Sequence, residues 1–558
     1  MEYDALTIIL TIIIAVVFAY VQLNKAEPDV HPILLQDQSS PAPIRNEGES
    51  VVHRSKSVPH GLPLISQPIG KIKTLYDVWQ AGLAINPTGR SMMHMLQNQF
   101  AFMDATYEQV DRRINGFGSG FITLTGLKPK TETPIGIMTP YSQESFIAQQ
   151  AFYRYSFVTV PIHDWKSSEL LIEVANQTKI KAIIVSQKVL PLVLSVLKDC
   201  PTIKTIIVAG IYFSKEQTKI AAQYNATLEK FAAVEYDGLS SPVDHVKPDP
   251  EDVAMINYNT KSSSLSKGVI LTHANLVAAT AAFISSLPAA KRFTSSDRLL
   301  CHFSNGDVIA IWMSSAIILA GGSLVFPSGL LKNVLHDAQA SSPTIFGSTP
   351  VILEKIHEAL HATYGKGSMF KRAYTAKLTM LKAGHITTSS IWDYIALKEI
   401  HSRLGGKVRM IVTTNPTKAE TLEYIRVAMG IHVICSYGRT ETSGIATNRN
   451  MFDYSNTVHL GGPVGCNEVK LVDDTDGKYT CVDEPNPRGE ILIRGPNVMK
   501  GYYKKPSTTA SAVDKDGWFH TGELGAIHPN GTLEILGKRR KVKSAAVTGS
   551  SSVRGDTE

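Results

Sequence analysis

The 558-residue sequence is poor in cysteine. Its five cysteines, Cys200, Cys301, Cys435, Cys466 and Cys481, are an odd number without metal-ligand spacing. That argues against a disulfide framework or a cysteine-built metal centre and fits reduced thiols in a cytosolic setting. Clusters of one charge are also lacking. The net charge is +7 and the Lys and Arg residues are scattered, so no nucleic-acid partner is expected. Attraction to an anionic membrane surface or to a polyanionic nucleotide both remain compatible with that mild charge. No internal repeat is evident, which sets aside solenoids and propellers. A single core cannot serve a chain this long, so two or more domains are expected.

Long uncharged apolar runs are absent except at the start, where residues 6–23 read LTIILTIIIAVVFAYVQL. At about 1.5 Å per residue such a helix reaches about 27 Å, near the hydrocarbon thickness of the endoplasmic reticulum bilayer. An uncleaved transmembrane anchor over residues 1–25 is therefore the expectation. A cleaved signal peptide is the weaker alternative, because Glu2 and Asp4 precede the run and no small-x-small site follows. Lys25, Arg45, Arg54 and Lys56 lie after it, and the positive-inside tendency puts the body in the cytosol.

Residues 26–73 are rich in Pro and Ser, including Pro28, Pro32, Pro41, Pro43, Pro59, Pro63 and Pro68, and read as a tether. From 74 to 460 short β-branched runs alternate with amphipathic stretches. Strands are predicted at 135–138, 158–162, 182–185, 206–208, 253–258, 323–326, 344–346, 410–412 and 431–435. Helices are predicted between them, as at 168–179, 273–287 and 420–429. The βαβα rhythm predicts an α/β fold of doubly wound, mostly parallel sheets in two packed subdomains. Over 461–541 the rhythm changes to strands at 468–472, 489–494 and 532–536, a small antiparallel β subdomain. Residues 542–558 are small and polar and read as a disordered tail.

Chemistry concentrates in SYGRTETSG, residues 436–444. It follows the apolar run 431–435, so Tyr437, Gly438, Thr440 and Glu441 fall at a strand's carboxyl end, where open α/β sheets place their ligands. The Tyr437-Gly438 turn presents N–H groups, Thr440 offers a hydroxyl to phosphate, and Glu441 is a hard oxygen ligand suited to Mg²⁺. Taken alone, the stretch reads equally well as an ordinary turn with an exposed glutamate.

Further segments accompany it in order: IWDYIALKEIHSRLGGK leading into VRMIV, then PVGCNEVKLVDD, PRGEILIRGPNVMKGYYKKP and DGWFHTGELGAIHPNGTLEILGKRRK, with weaker support from VPIHD and PTIFGSTPVILEKI. Over residues 75–541 the sequence resembles the long-chain fatty acyl-CoA synthetases of the adenylate-forming superfamily. The resemblance implies that ATP and a fatty acid form an acyl-adenylate, whose acyl group passes to coenzyme A. It also implies Mg²⁺, with Glu441 as its ligand and Thr440 and Glu441 in catalytic positions. Glu523 would hold the ribose, and Lys538 would stand at the adjoining hinge. The phosphate loop would be residues 258–268, with Thr260, Ser262, Ser263 and Lys267 supplying hydroxyls and charge.

Several positions depart from the family pattern. Lys261 and Ser264 stand where the family has glycine and Ser266 where it has proline, so the loop is less pre-organised. It reads either as a weakened phosphate grip or as a polar loop that no longer holds phosphate. Asn305 stands in place of a histidine, residues 413–416 are one residue shorter than usual, Glu523 replaces an aspartate, and Lys538 replaces an arginine whose bidentate contact it cannot reproduce. Family members also continue past the hinge into a lid domain with a lysine that stabilises transition-state charge. Loss of one such donor commonly costs about 10² to 10³ in rate. The expectation is a fatty acid:CoA ligase of weakened activity. A catalytically inactive pseudoenzyme or scaffold, and an incomplete gene product, stay open.

Overall fold

The computed structural model describes residues 4–23, 28–95, 102–131, 133–162, 167–258, 267–328, 331–414, 416–455, 459–474 and 476–539. Three sheets organise them. In the first, strands Val253–Tyr258, Thr159–Pro161, Ile135–Met138, Ala182–Ser186, Thr205–Ala209 and Thr227–Lys230 run parallel, and Gly268–Thr272 and Gly501–Tyr502 extend one edge antiparallel. In the second, His432–Tyr437, Met410–Thr414, Ile345–Ser348, Arg298–His302, Ser323–Phe326 and Arg90–Met95 are parallel. Antiparallel strands close both of its edges.

Strands covered by helices on both faces need apolar residues at every position rather than alternate ones. Ile135–Met138, Ser323–Phe326 and Ile345–Ser348 are buried throughout. The helices carry the start signals their sequences advertise. Thr272 accepts the Asn275 N–H at the head of His273–Ser286, and Thr74 and Asp77 form a capping box on Leu75–Ile85. The expected α/β class is seen, as mixed sheets with parallel centres and antiparallel edges.

The third sheet is wholly antiparallel, in the order Ser39–Pro41, His53–Ser55, Glu468–Val472, Arg488–Arg494, Phe519–Ile527 and Leu533–Lys538. Its first two strands come from the segment read as a tether. They are three residues long and pair with each other, and the second joins the sheet through a strand more than 400 positions away, so no local periodicity announces them. Charge holds the join. The Glu468 carboxylate lies between Arg54 at 2.6 Å and Arg494 at 2.5 Å, and the two guanidiniums overcome its burial to keep its pKa below the ordinary glutamate value.

Residues 5–23 form one helix, Ala5–Leu23, with Leu6, Ile8, Ile9, Leu10, Ile12, Ile13, Ile14 and Val16 exposed. The expected membrane span is not supported: among the described residues no helix is long and apolar enough to cross a membrane. The side chains of residues 17–23, part of the run read as a span, lie outside the described residues, as does the tail 542–558.

Candidate active site

The strand His432–Tyr437 is buried along its whole length and ends where the chain must turn sharply. A Cβ on Gly438 would meet the Ile445 nitrogen at 2.3 Å, so only glycine permits this crossing of backbones. A short 3₁₀ turn, Thr440–Thr442, follows. Arg439 O accepts from both Thr442 N at 3.0 Å and Gly444 N at 2.8 Å, which closes the loop.

Asn497 fixes the turn from outside. Fully buried, it donates to the carbonyls of Thr442 at 2.8 Å and Ile445 at 2.6 Å, while its own carbonyl accepts the Ser443 hydroxyl at 2.8 Å. The backbone of Met499 adds a bond to Glu441 O at 2.8 Å. The signature turn is thus bolted to the segment 495–502 that leads into the edge strand Gly501–Tyr502.

Side chains from four distant parts of the sequence meet here. Tyr437 donates its hydroxyl to Glu523 Oε2 at 2.6 Å. Burial, reinforced by the Glu523 charge, pushes that phenol well above its ordinary pKa, so it remains a neutral donor. Arg439 lies between two acids, with Nη1 at 3.3 Å from Glu523 Oε1 and Nε at 3.6 Å from Glu441 Oε2, and Nη1 also donates to Thr521 O at 3.0 Å. Burial opposes the Arg439 charge, but the two carboxylates outweigh it and raise its pKa. Tyr502 donates to Glu441 Oε1 at 2.9 Å, and the Lys267 ammonium sits 4.8 Å from the Tyr502 ring centre. Burial and then the Glu441 charge drive the Tyr502 phenol up as well.

The profile of the AMP-binding enzyme family matches residues 93–503, most of the chain and all of this turn. The chain belongs to the AMP-binding enzyme family. Long-chain-fatty-acid–CoA ligase 5 of Rattus norvegicus is 32% identical over 527 residues, covering 93% of this chain and 75% of the relative. Long-chain-fatty-acid–CoA ligase 6 of Homo sapiens is 30% identical over 497 residues, 88% of this chain and 70% of its own length. Among solved structures, a long-chain-fatty-acid–CoA ligase from Archaeoglobus fulgidus superposes with a TM-score of 0.64 at 17% identity, covering 86% of each chain. The adenylation domain of a Segniliparus rugosus carboxylic acid reductase, in complex with AMP and a co-purified carboxylic acid, gives 0.66 at 17% identity over 84% of this chain and 76% of that one. These two likenesses concern the fold.

In this member of the AMP-binding enzyme family, the residues expected to serve the nucleotide divide into two groups. Tyr437, Gly438, Thr440, Glu441, Glu523 and Lys267 lie in or beside the cluster just described. Lys538 pairs with Glu523 across the antiparallel ladder, and its side chain is exposed. Thr260, Ser262 and Ser263, with Lys261, Ser264 and Ser266, lie outside the described residues, as does Asn415. Asn305, at the position where a histidine was expected, is buried and accepts from Gln149 Nε2 at 2.9 Å.

Arg439, Tyr502 and Asn497 were not singled out from sequence. Arg439 sits inside the motif and Tyr502 inside GYYKKP, so the signal was adjacency to quoted motifs. Their hydrogen bonds join distant segments, with Asn497–Ile445, Tyr502–Glu441 and Arg439–Thr521 separated by 52, 61 and 82 positions.

The donor set suits a nucleotide better than it suits a metal ion. Each Glu523 oxygen keeps a lone pair beyond those used by Tyr437 and Arg439, which leaves acceptors for ribose hydroxyls. Glu441 was expected to hold Mg²⁺, but one of its oxygens takes the Tyr502 hydrogen and the other faces a guanidinium. No group of three or more His, Cys, Asp or Glu side chains suited to a metal occurs among the described residues. An Mg²⁺ carried by nucleotide phosphates needs only one or two carboxylates, so its expected place at Glu441 turns on Oε2, which is buried without a hydrogen bond 3.6 Å from Arg439 Nε.

Proposed function

We propose that this chain binds ATP and a long-chain fatty carboxylate at the carboxyl end of the strand His432–Tyr437, where the carboxylate displaces pyrophosphate from the α-phosphate to give an acyl-adenylate, and that coenzyme A then takes the acyl group and releases AMP, at a reduced rate. The observation that carries the reading is the convergence of Tyr437 and Glu441, Tyr502, Glu523 and Lys267, drawn from four separate segments, at a strand terminus of an AMP-binding fold. Long-chain-fatty-acid–CoA ligases among the relatives support the substrate class. Thr440 and Glu441 are the proposed catalytic positions, with Tyr437, Gly438, Lys267, Glu523 and Lys538 around the nucleotide and Thr260, Ser262 and Ser263 toward its phosphates.

A second reading, nucleotide binding without turnover, is favoured by one observation: the phosphate loop carries Lys261, Ser264 and Ser266. Glycine and proline at such positions would pre-organise backbone N–H groups around phosphate, and their loss raises the ordering cost of each encounter. The two readings separate in one experiment on the full chain, combining calorimetric titration of AMP with fatty-acid-dependent exchange of labelled pyrophosphate into ATP. Slow exchange above an ATP-only blank supports the ligase. AMP binding with no exchange supports the binding protein, and absence of both removes both.

We further propose that the exposed apolar face of Ala5–Leu23 associates with a membrane, that of the endoplasmic reticulum being the expected one, with the body on the cytosolic side. Eight large aliphatic side chains facing solvent on one helix support this. Deleting residues 1–25 is expected to move the protein from the membrane pellet to the soluble fraction. Retention in the pellet would place the anchoring surface elsewhere.

A further inference from the structure

Two carboxylates of the cluster, Glu441 and Glu523, share one cation, and that cation belongs to the protein. Arg439 Nε lies 3.6 Å from Glu441 Oε2, and its Nη1 lies 3.3 Å from Glu523 Oε1. Glu441 Oε2 and Arg439 Nε are both buried without a hydrogen bond, so the fixed charge nearest the oxygen that would be offered to a metal is the guanidinium. The other oxygen, Oε1, is already held by Tyr502. Magnesium demands near-octahedral oxygen ligands at about 2.0–2.1 Å and gives up its waters reluctantly. An ion seated on Oε2 would have a fixed positive charge as its neighbour, and arginine cannot lose its proton to relieve the conflict.

Arg439 is also held in place. Its backbone N–H donates to Thr442 Oγ1 at 3.0 Å, its carbonyl closes the turn, and Nη1 is tied to Thr521 O at 3.0 Å. What remains is Nη2, which makes no hydrogen bond among the described residues, on a side chain still 29% exposed. A planar guanidinium anchored through Nη1, with Nη2 open, is arranged to donate to a phosphate oxygen.

We infer that Arg439 takes the place of a divalent cation in this site, so that the chain binds adenine nucleotides without Mg²⁺, the guanidinium serving as the counter-charge of the phosphate nearest the ribose. This rests on the nucleotide reading of the cluster. It predicts a preference for adenosine monophosphates, AMP and acyl-AMP, over the more highly charged ATP, because one fixed cation, already shared by two carboxylates, can answer one phosphate oxygen and cannot bridge several phosphates as a metal does.

The test is titration calorimetry of the full chain with AMP and with ATP, each in EDTA and in excess Mg²⁺. For the wild type, AMP affinity should agree within about twofold between the two buffers, and Mg²⁺ should not tighten ATP. Arg439→Gln should lower AMP affinity in EDTA by about tenfold or more, the loss of one charge-assisted bond, and should make ATP binding respond to Mg²⁺. Arg439→Lys, which keeps the charge and loses the fork, should bind more weakly than wild type yet stay indifferent to Mg²⁺, which separates loss of charge from damage to the turn. Wild-type binding of either nucleotide that is about tenfold tighter with Mg²⁺ would overturn the substitution of cations while leaving the nucleotide site standing. Unchanged AMP affinity in Arg439→Gln would do the same. Failure of both nucleotides to bind in either buffer would remove the nucleotide reading and this inference together.

Discussion

Replacing Glu523 by alanine is expected to weaken AMP binding about 100-fold, the equivalent of nearly 3 kcal/mol, as two charge-assisted hydrogen bonds of about 1.5–3 kcal/mol each are at stake. The carboxylate accepts the Tyr437 hydroxyl at 2.6 Å and pairs with Arg439 at 3.3 Å, so its loss leaves a buried phenol without an acceptor and releases the guanidinium on one side. It also removes the proposed acceptor for the ribose. Glu523→Gln keeps an acceptor for Tyr437 while discarding the charge, and should lose about tenfold. Calorimetric titration of AMP into both variants, with near-ultraviolet circular dichroism to compare their packing with wild type, gives the measurement. Equal affinities for wild type and Glu523→Ala would move the nucleotide away from this cluster.

The largest effect on stability is expected at a different place, the buried pair of Lys377 and Asp393. Their side chains are 3% and 2% exposed, and the ammonium is bonded to Asp393 and to Thr387 O at 2.7 Å. Burial pulls the Lys377 pKa down against the pull of Asp393. The carboxylate in turn accepts from Ser390 N at 2.8 Å and Ser390 Oγ at 2.6 Å, which ties the loop before residue 391 to the helix Ser368–Lys382. Lys377→Met strands a buried negative charge and should cost about 3–5 kcal/mol, because removing one partner forfeits the attraction without recovering the desolvation of the other. The double variant Lys377→Met with Asp393→Leu should recover much of that loss, since an apolar pair of similar volume needs no compensation. Urea unfolding followed by tryptophan fluorescence compares the midpoints. A double variant as unstable as the single one would show that packing, not charge pairing, is what Lys377 supplies.

The parts of the fold legible in sequence are those decided by local pattern. The strands 135–138, 253–258 and 323–326 were predicted at the bounds observed, because strands buried on both faces read as unbroken apolar runs. The helix predicted at 273–287 is observed as His273–Ser286, with Thr272 accepting the Asn275 N–H at its head. The strands at 39–41 and 53–55 were hidden for the opposite reason. They are short, sit among prolines, and join the sheet only because Glu468–Val472 offers an edge to the second, which in turn pairs with the first. The apolar run at 6–23 was read as a span, whereas no helix among the described residues meets that requirement.

The site divides along the same line. SYGRTETSG and its strand-terminal position could be read directly, because strand ends and glycine turns are set by residues next to one another. Sequence alone therefore determined the α/β class, the family and the stretch about which the chemistry gathers. Only the tertiary structure decided which charges meet. Arg439 is one residue of a motif until the fold carries Glu523 across from the antiparallel sheet and Tyr502 from the edge of the other, and then it is the shared cation of two acids. Electrostatic partnership depends on distance in space, and residues 61 and 86 positions apart come within hydrogen-bonding reach only when the sheets that bear them have packed.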